Sequence, residues 1–286
     1  MKILIIGSKG FIGKHCHSFF KSKKSVDVYG CDVVIDYNAE NYFLVDSTNA
    51  DYKKIFSDIQ FDVCINCSGA ASVADSLKNP LRDFNLNTKN VLSLLDAIRV
   101  YSPKCKFINL SSAAVYGNPI GLPISEASTL SPISPYGIHK KQAEELCSYF
   151  FKVYGIATCS LRIFSAYGEG LRKQLFWDLA KKGQSKSSLS LFGTGNESRD
   201  FIHVFDIVSI IDLIIEKGNF SGEAINIANG EEIFIKDAVR IFYSDYDKDL
   251  QYKFSGNNRV GDPINWVADI SKIKSLGYKK MMSLEI

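Results

Sequence analysis

KILIIGSKGFIGKHCHSFFK, residues 2–21, reads as a strand, a glycine turn and a helix in direct succession. Residues 2–6 are β-branched or leucine apart from Lys2, as a buried strand requires, and residues 14–21 continue at helical spacing. Gly7, Gly10 and Gly13 let backbone approach a pyrophosphate closely. The helix that follows offers free N–H groups and a partial positive charge to the same anion. Glycine turns are common, but one at the first strand–helix junction points to dinucleotide binding.

The next apolar segment, Val26 to Cys31, ends at Asp32, close to the spacing expected of an acid that accepts from a ribose 2′-hydroxyl. A carboxylate there repels a 2′-phosphate and favours NAD. Lys9, inside the turn, cuts the other way and leaves NADP open, because its ammonium could meet that phosphate. A strand at Tyr42 to Val45 leads to Asp46 and Ser47, placed for contacts to the adenine side. A strand at Val63 to Cys67 runs into the small-residue loop Ser68 to Val73, where a nicotinamide or a sugar could lie against backbone. Leu81 to Tyr101 reads as one long helix carrying Asn85, Asn87 and Asn90.

A strand at Cys105 to Leu110 delivers Ser111 and Ser112 at its carboxyl end, where open parallel sheets bind their ligands. The helix from Tyr136 to Tyr154 starts after Pro132 and Pro135, and a strand at Ala157 to Ile163 follows. Strands alternating with helices over residues 1–165 predict an α/β fold: a Rossmann-type doubly wound parallel sheet that forms a dinucleotide-binding domain. Beyond it the pattern becomes irregular and richer in Gly, Ser and Tyr. Residues 166–286 read as a smaller, interleaved C-terminal α/β substrate domain, with residues 200–220 packing back onto the first.

Tyr136 and Lys140 lie four apart and share a helix face, so an ammonium can approach a phenol. Such pairs are frequent, yet an adjacent cation favours the phenolate that a neutral-pH base requires. Ser112 would then hold a substrate oxygen. Arg199 and Arg259 are candidates for a diphosphate, since guanidinium geometry suits phosphate oxygens. A solvated or structural ion pair is the plainer reading of either arginine.

Lys plus Arg exceed Asp plus Glu by only 34 − 31 = 3, which argues against nucleic acid as a partner. At 286 residues and 46 % hydrophobic, an ordered cytoplasmic chain is expected, and its apolar runs are too short for a membrane span. Seven cysteines spread along the chain fit reduced thiols better than a disulfide framework. Cys64 and Cys67 form a CxxC within an apparent strand, so they point to opposite faces and no metal site is expected.

The chain resembles the extended short-chain dehydrogenase/reductase family, in its nucleotide-sugar epimerase and dehydratase branch. The resemblance rests on GSKGFIG at 7–13, Asp32, ASV at 71–73, SSAAVYG at 111–117, YGIHK at 136–140, LRIFSAYGEG at 161–170, RDFIHVFD at 199–206, INIANG at 225–230 and GDPINWVAD at 261–269. Their order and spacing together are specific. The resemblance implies that Gly7, Gly10, Phe11, Ile12, Gly13, Asp32, Asp46, Ser47, Ser68 and Asn87 hold the cofactor. It implies Tyr136 as the acid/base, Lys140 as its polarising partner on the nicotinamide ribose, and Ser112 as the third catalytic residue. Ser72, Ala114, Ser165, Arg199 and Arg259 fall where relatives contact the sugar nucleotide. A homodimer formed through helices is the family's habit.

Relatives that eliminate water carry Asp-Glu directly after the catalytic Ser or Thr, and here those places are Ala113 and Ala114. The resemblance therefore implies hydride chemistry at C4 of a nucleotide-diphosphate sugar rather than 4,6-dehydration. A 4-epimerase with resident NAD leads. An NAD(P)H-dependent 4-keto-6-deoxy-sugar-nucleotide reductase stands beside it, and a catalytically silent nucleotide-binding protein is the remaining reading. His139 stands where relatives more often have Ser, and Ser165 where they often have Asn.

Overall fold

Strand β1, Lys2–Ile6, sends Ile3 and Ile5 to one face of a sheet and Leu4 and Ile6 to the other, and all four are buried. A strand apolar on both faces belongs in the middle of a parallel sheet with helices on either side. The computed structural model, which describes residues 1–46, 49–183, 188–246, 251–257 and 260–284, has that arrangement. Around β1 stand β2 (Asp27–Asp32), β3 (Tyr42–Leu44), β4 (Val63–Asn66), β5 (Lys106–Ser112) and β6 (Thr158–Ile163). With the strand Ser221–Ile227 they form a seven-stranded parallel sheet in the order 221–227, β6, β5, β4, β1, β2, β3. The order reverses between β1 and β4, so a crevice opens beyond the carboxyl ends of those two strands.

The two faces build two cores. Ile3 and Ile5 pack with Phe20 of helix Phe11–Lys21 and with Ile207, Ile210 and Ile214 of helix Val204–Lys217. Leu4 and Ile6 pack with Leu94 and Ile98 of helix Asn90–Tyr101 and with Cys147 and Phe150 of helix Pro135–Tyr154. Cys64 belongs to the second core and Cys67 packs against the first, so the two thiols do lie on opposite faces.

Helix Pro135–Tyr154 is well bounded. Ser134 caps it by accepting the Gly137 N–H at 3.2 Å, Pro135 takes the first turn, and Gly155 ends it at φ +69°. The single helix expected over 81–101 is instead three pieces. Pro80–Phe84 starts at a proline, Asn85–Lys89 is a π-helical turn, and Asn90–Tyr101 resumes α geometry. The wide turn buries Asn87 and Thr88, which an uninterrupted amphipathic pattern does not require.

The C-terminal part forms its own small core from Leu179, Leu189, Leu191, Val239, Phe242 and Tyr243, around the parallel pair Ser188–Leu191 and Gln251–Phe254. The chain does more than lay helix Val204–Lys217 against helix Phe11–Lys21, since the strand that follows, Ser221–Ile227, pairs with β6.

A buried ion pair ties the sheet to helix Pro135–Tyr154. Arg162 of β6 meets Glu144 through Nε at 3.1 Å and Nη2 at 2.8 Å, and Ser111 of β5 donates to Glu144 at 2.5 Å. Both partners are under 8 % exposed. Arg162→Met strands a buried carboxylate and is expected to lower stability by about 3–5 kcal/mol in urea unfolding. Adding Glu144→Leu to it should recover most of that loss.

Candidate active site

The crevice is lined first by the glycine turn. Gly7 adopts φ +76°, and a Cβ there would lie 2.7 Å from the Ser68 nitrogen, so the turn presses against the end of β4. A Cβ on Gly13 would lie 2.0 Å from the Gly7 carbonyl oxygen, and one on Gly10 would lie 3.1 Å from it. Helix Phe11–Lys21 starts at Gly10 with no side-chain cap and no acid in its first turn. Its leading N–H groups and positive end therefore face the crevice, as an anion site needs.

Asp32 stands at the end of β2 with both oxygens engaged by backbone: Oδ2 accepts the Lys9 N–H at 2.8 Å and Oδ1 the Val33 N–H at 2.7 Å. A carboxylate has about four lone-pair sites, so it can still accept from ribose hydroxyls. The Lys9 ammonium, expected to be available to a 2′-phosphate, is paired with Asp36 instead. Asp46 accepts the Asn49 N–H at 3.0 Å within its own turn, and Ser47 lies outside the described residues. Ser68 donates to Asn66 at 2.5 Å and accepts from Asn90 at 2.9 Å, which fastens the loop after β4 to helix Asn90–Tyr101.

Deeper in, β5 and helix Pro135–Tyr154 bring Ser112, Tyr136 and Lys140 together. Ser112 accepts the Ala114 N–H at 3.2 Å, and its side chain stands close enough to the Tyr136 phenol to favour the ionised form. Lys140 sits 5.9 Å from the centroid of the Tyr136 ring and donates to the Leu110 carbonyl at 2.8 Å. Burial pushes the Tyr136 phenol up to about 12, with Ser112 pulling against it. Burial also lowers Lys140 to about 8, opposed by Asp83 and Glu144. The spacing of Tyr136 and Lys140 predicts a phenol drawn down by its cation; here desolvation dominates, and Ser112 is the group that pulls the phenol down.

The π-helical turn completes the site. Neither amide atom of the buried Asn87 finds a partner among the described residues. Its Oδ1 would lie 2.5 Å from a Cβ added to Gly69, and the Lys140 ammonium 3.5 Å from the same point. An orphaned amide beside an ammonium and an open glycine is a place for a polar ligand group. Together with the glycine cradle and the uncapped helix, it fits a dinucleotide.

The remaining sites are less uniform. Ser72 caps helix Val73–Lys78 by accepting the Asp75 N–H at 3.2 Å, and Ala114 is nearly buried under Gly137. Ser165 is half-buried and gives its N–H to the Asp200 carbonyl at 2.9 Å. Arg199 donates to the carbonyls of Ser198 and Ile264 at 2.8 and 3.0 Å and lies 5.6 Å from the Trp266 ring centroid. Arg259 lies outside the described residues.

The sequence marks His139 as a departure but not its partner Asp83, and their Nδ1···Oδ2 distance of 2.6 Å closes a part-buried contact beside Lys140. Sequence reasoning also missed Glu144, although four residues past Lys140 on a helix is the same face, and Arg162, a lone charge inside an apolar strand. Asp200, also missed, gathers the N–H groups of Asn229, Gly230 and Ala268 at 2.9–3.1 Å while burial raises its carboxyl to about 6.

Fold and turn define a dinucleotide-binding chain of the extended short-chain dehydrogenase/reductase type. The sequence pattern of the NAD dependent epimerase/dehydratase family matches residues 3–228, and the chain belongs to that family. A Bacillus subtilis (strain 168) protein, YtcB, named as an uncharacterized UDP-glucose epimerase, is 32 % identical over 96 % of this chain and 92 % of its own. UDP-glucose 4-epimerase of Lactobacillus helveticus is 29 % identical, with 98 % and 92 % covered. UDP-glucuronic acid 4-epimerase from Bacillus cereus, solved in complex with UDP-glucuronic acid and NAD, superposes with a TM-score of 0.89 at 30 % identity, covering 99 % of this chain and 95 % of that one. Among the described residues no helix is long and apolar enough to cross a membrane.

The cradle predicts a graded series. Gly13→Ala, with its clash at 2.0 Å, should weaken NAD binding at least roughly tenfold by calorimetry, and Gly10→Ala much less. Lys140 makes a second prediction. Its folded pKa of about 8 lies below the ordinary 10.5, so between those values the unfolded chain binds more protons and stability rises with pH. Lys140→Met should therefore stabilise the protein below pH 8 by up to about 3 kcal/mol. The gain should fade in thermal unfolding as the pH approaches 10.5.

Proposed function

We propose that the chain is a UDP-sugar 4-epimerase that works with resident NAD. One observation carries the choice within the family: Ser112, Tyr136 and Lys140 meet at the crevice, while the two positions after Ser112 are the buried Ala113 and Ala114. With neither an acid nor a base there, proton transfer at a second carbon lacks its groups, and chemistry is confined to C4. Relatives that act on UDP-glucose and UDP-glucuronic acid support a uridine nucleotide and a hexose or hexuronic acid.

When bound, NAD supplies the acceptor and donor for the C4 hydrogen. The chain's residues handle the proton and the positions. Tyr136 Oη takes the proton of the C4 hydroxyl as the carbonyl forms, and gives it back when the alcohol re-forms on the other face. Ser112 Oγ holds the C4 oxygen through both half-reactions. The Lys140 ammonium and the Asn87 amide meet the polar groups at the nicotinamide end, which supplies positive charge next to the phenol and offsets the burial that raises it.

The reductase reading draws on Lys9 and on the compact C-terminal part, and the pairing of Lys9 with Asp36 weakens the first of these supports. Incubation of the purified chain with UDP-glucose or UDP-glucuronic acid, with no added cofactor, should yield the C4 epimer by NMR, and Tyr136→Phe should lower the rate at least about 100-fold. Stoichiometric consumption of added NADH by a 4-keto sugar nucleotide, without interconversion of epimers, would sink the proposal.

We also propose a homodimer. Helices Asn90–Tyr101 and Pro135–Tyr154 expose Leu92, Val100, Tyr149, Val153 and Tyr154 on adjoining outward faces. An apolar surface of that kind suits a second copy of the same pair of helices. Light scattering should give twice the chain mass, and Tyr149→Asp combined with Leu92→Asp should give the monomer.

A further inference from the structure

We propose that Asp36 selects NAD over NADP by holding Lys9 away from the ribose 2′ position, an inference that rests on reading the crevice as the NAD site. Lys9 is anchored at the point where the ribose is read, because its own N–H bonds Asp32 Oδ2 at 2.8 Å. From that anchor its side chain could reach a phosphate on the 2′ oxygen, and an ammonium there would offset the repulsion from Asp32. The side chain goes elsewhere. Its ammonium pairs with Asp36 and rests 5.1 Å from the centroid of the Tyr42 ring.

The clamp is built from the loop that follows β2. The Tyr42 hydroxyl donates to the Val34 carbonyl and Asp36 Oδ1 accepts the Asn38 N–H at 3.1 Å, so residues 32–38 curl back over the turn with Asp36 facing Lys9. The hydrogen bonds from Lys9 and Asn38 hold the Asp36 carboxyl below its ordinary range. Asp36 therefore acts by occupying the cation of the glycine turn, the charge that a 2′-phosphate beside Asp32 would need.

The pair is partly exposed, at 35 % and 28 % of the side chains, so its own contribution to stability is small and substitutions there leave the fold intact. That makes selectivity the property to measure. The full-length chain is equilibrated with equal NAD and NADP, and the nucleotide it retains is read by native mass spectrometry. Asp36→Asn should move the NADP:NAD ratio toward NADP by roughly tenfold, since a charge-assisted contact replaces a repulsion. Lys9→Ala alone should move it by less than about threefold, and Asp36→Asn with Lys9→Ala should return it to that level, because the gain runs through the freed ammonium. Retention of NAD with an unchanged ratio in Asp36→Asn, or a gain that persists in the double variant, overturns the role of Asp36. Failure of the unaltered chain to retain either nucleotide overturns the reading of the crevice, and this inference with it.

Discussion

Everything at the crevice depends on the contact between Glu144 and Arg162. Glu144 sits two helical turns beyond Tyr136 and one beyond Lys140, and it takes hydrogen bonds from Arg162 on β6 and Ser111 on β5. Ser111 adjoins Ser112, so one carboxylate sets the height of helix Pro135–Tyr154 against the strand that presents Ser112. The network runs outward as well. Arg162 donates to the Tyr116 hydroxyl at 2.8 Å, Tyr116 to Asn226 at 2.7 Å, and Asn226 to the carbonyls of Ile124 and Asp269. The segments that wall the crevice are thus hung from the same buried charge, which is costly to desolvate and so must be fully satisfied.

Lys140 shows the opposite economy. It is buried and donates to the Leu110 carbonyl, and next to it Asn87 keeps an amide with no partner among the described residues. Folding works against both groups, and a sequence chosen for stability alone would have neither. Such violations of polar satisfaction, concentrated on one π-helical turn and one helix face, mark where stability has been given up for binding and chemistry.

Much of this was legible from the chain. The glycine turn, Asp32 and the Ser112, Tyr136, Lys140 set are local patterns, because each depends on a strand end or on helical periodicity. The parallel doubly wound sheet followed from the alternation of elements. The π-helical turn was not legible, since the run from Leu81 to Tyr101 has the periodicity of one helix and the widening comes from packing of Asn87 and Thr88 inward. Nor was the pairing of Lys9 with Asp36, 27 residues apart, which depends on how the loop after β2 curls back over the glycine turn. The pKa of Tyr136 was misjudged for a related reason: a helical wheel shows the neighbouring charge but not the depth of burial.

The position of Ser221–Ile227 beside β6 bears on how the protein is made. β6 is buried along its whole length, and its outer partner is encoded some sixty residues later, after the small C-terminal core has begun. While the chain is being synthesised, a strand destined to be buried along its whole length stands with one row of N–H and C=O groups unpaired until residue 227 has emerged. The seven-stranded sheet cannot close before then, and a chain stalled or cut within that interval presents an adhesive edge to any other strand at hand. The late arrival of the strand that flanks β6 therefore makes synthesis the most hazardous moment of the protein's life.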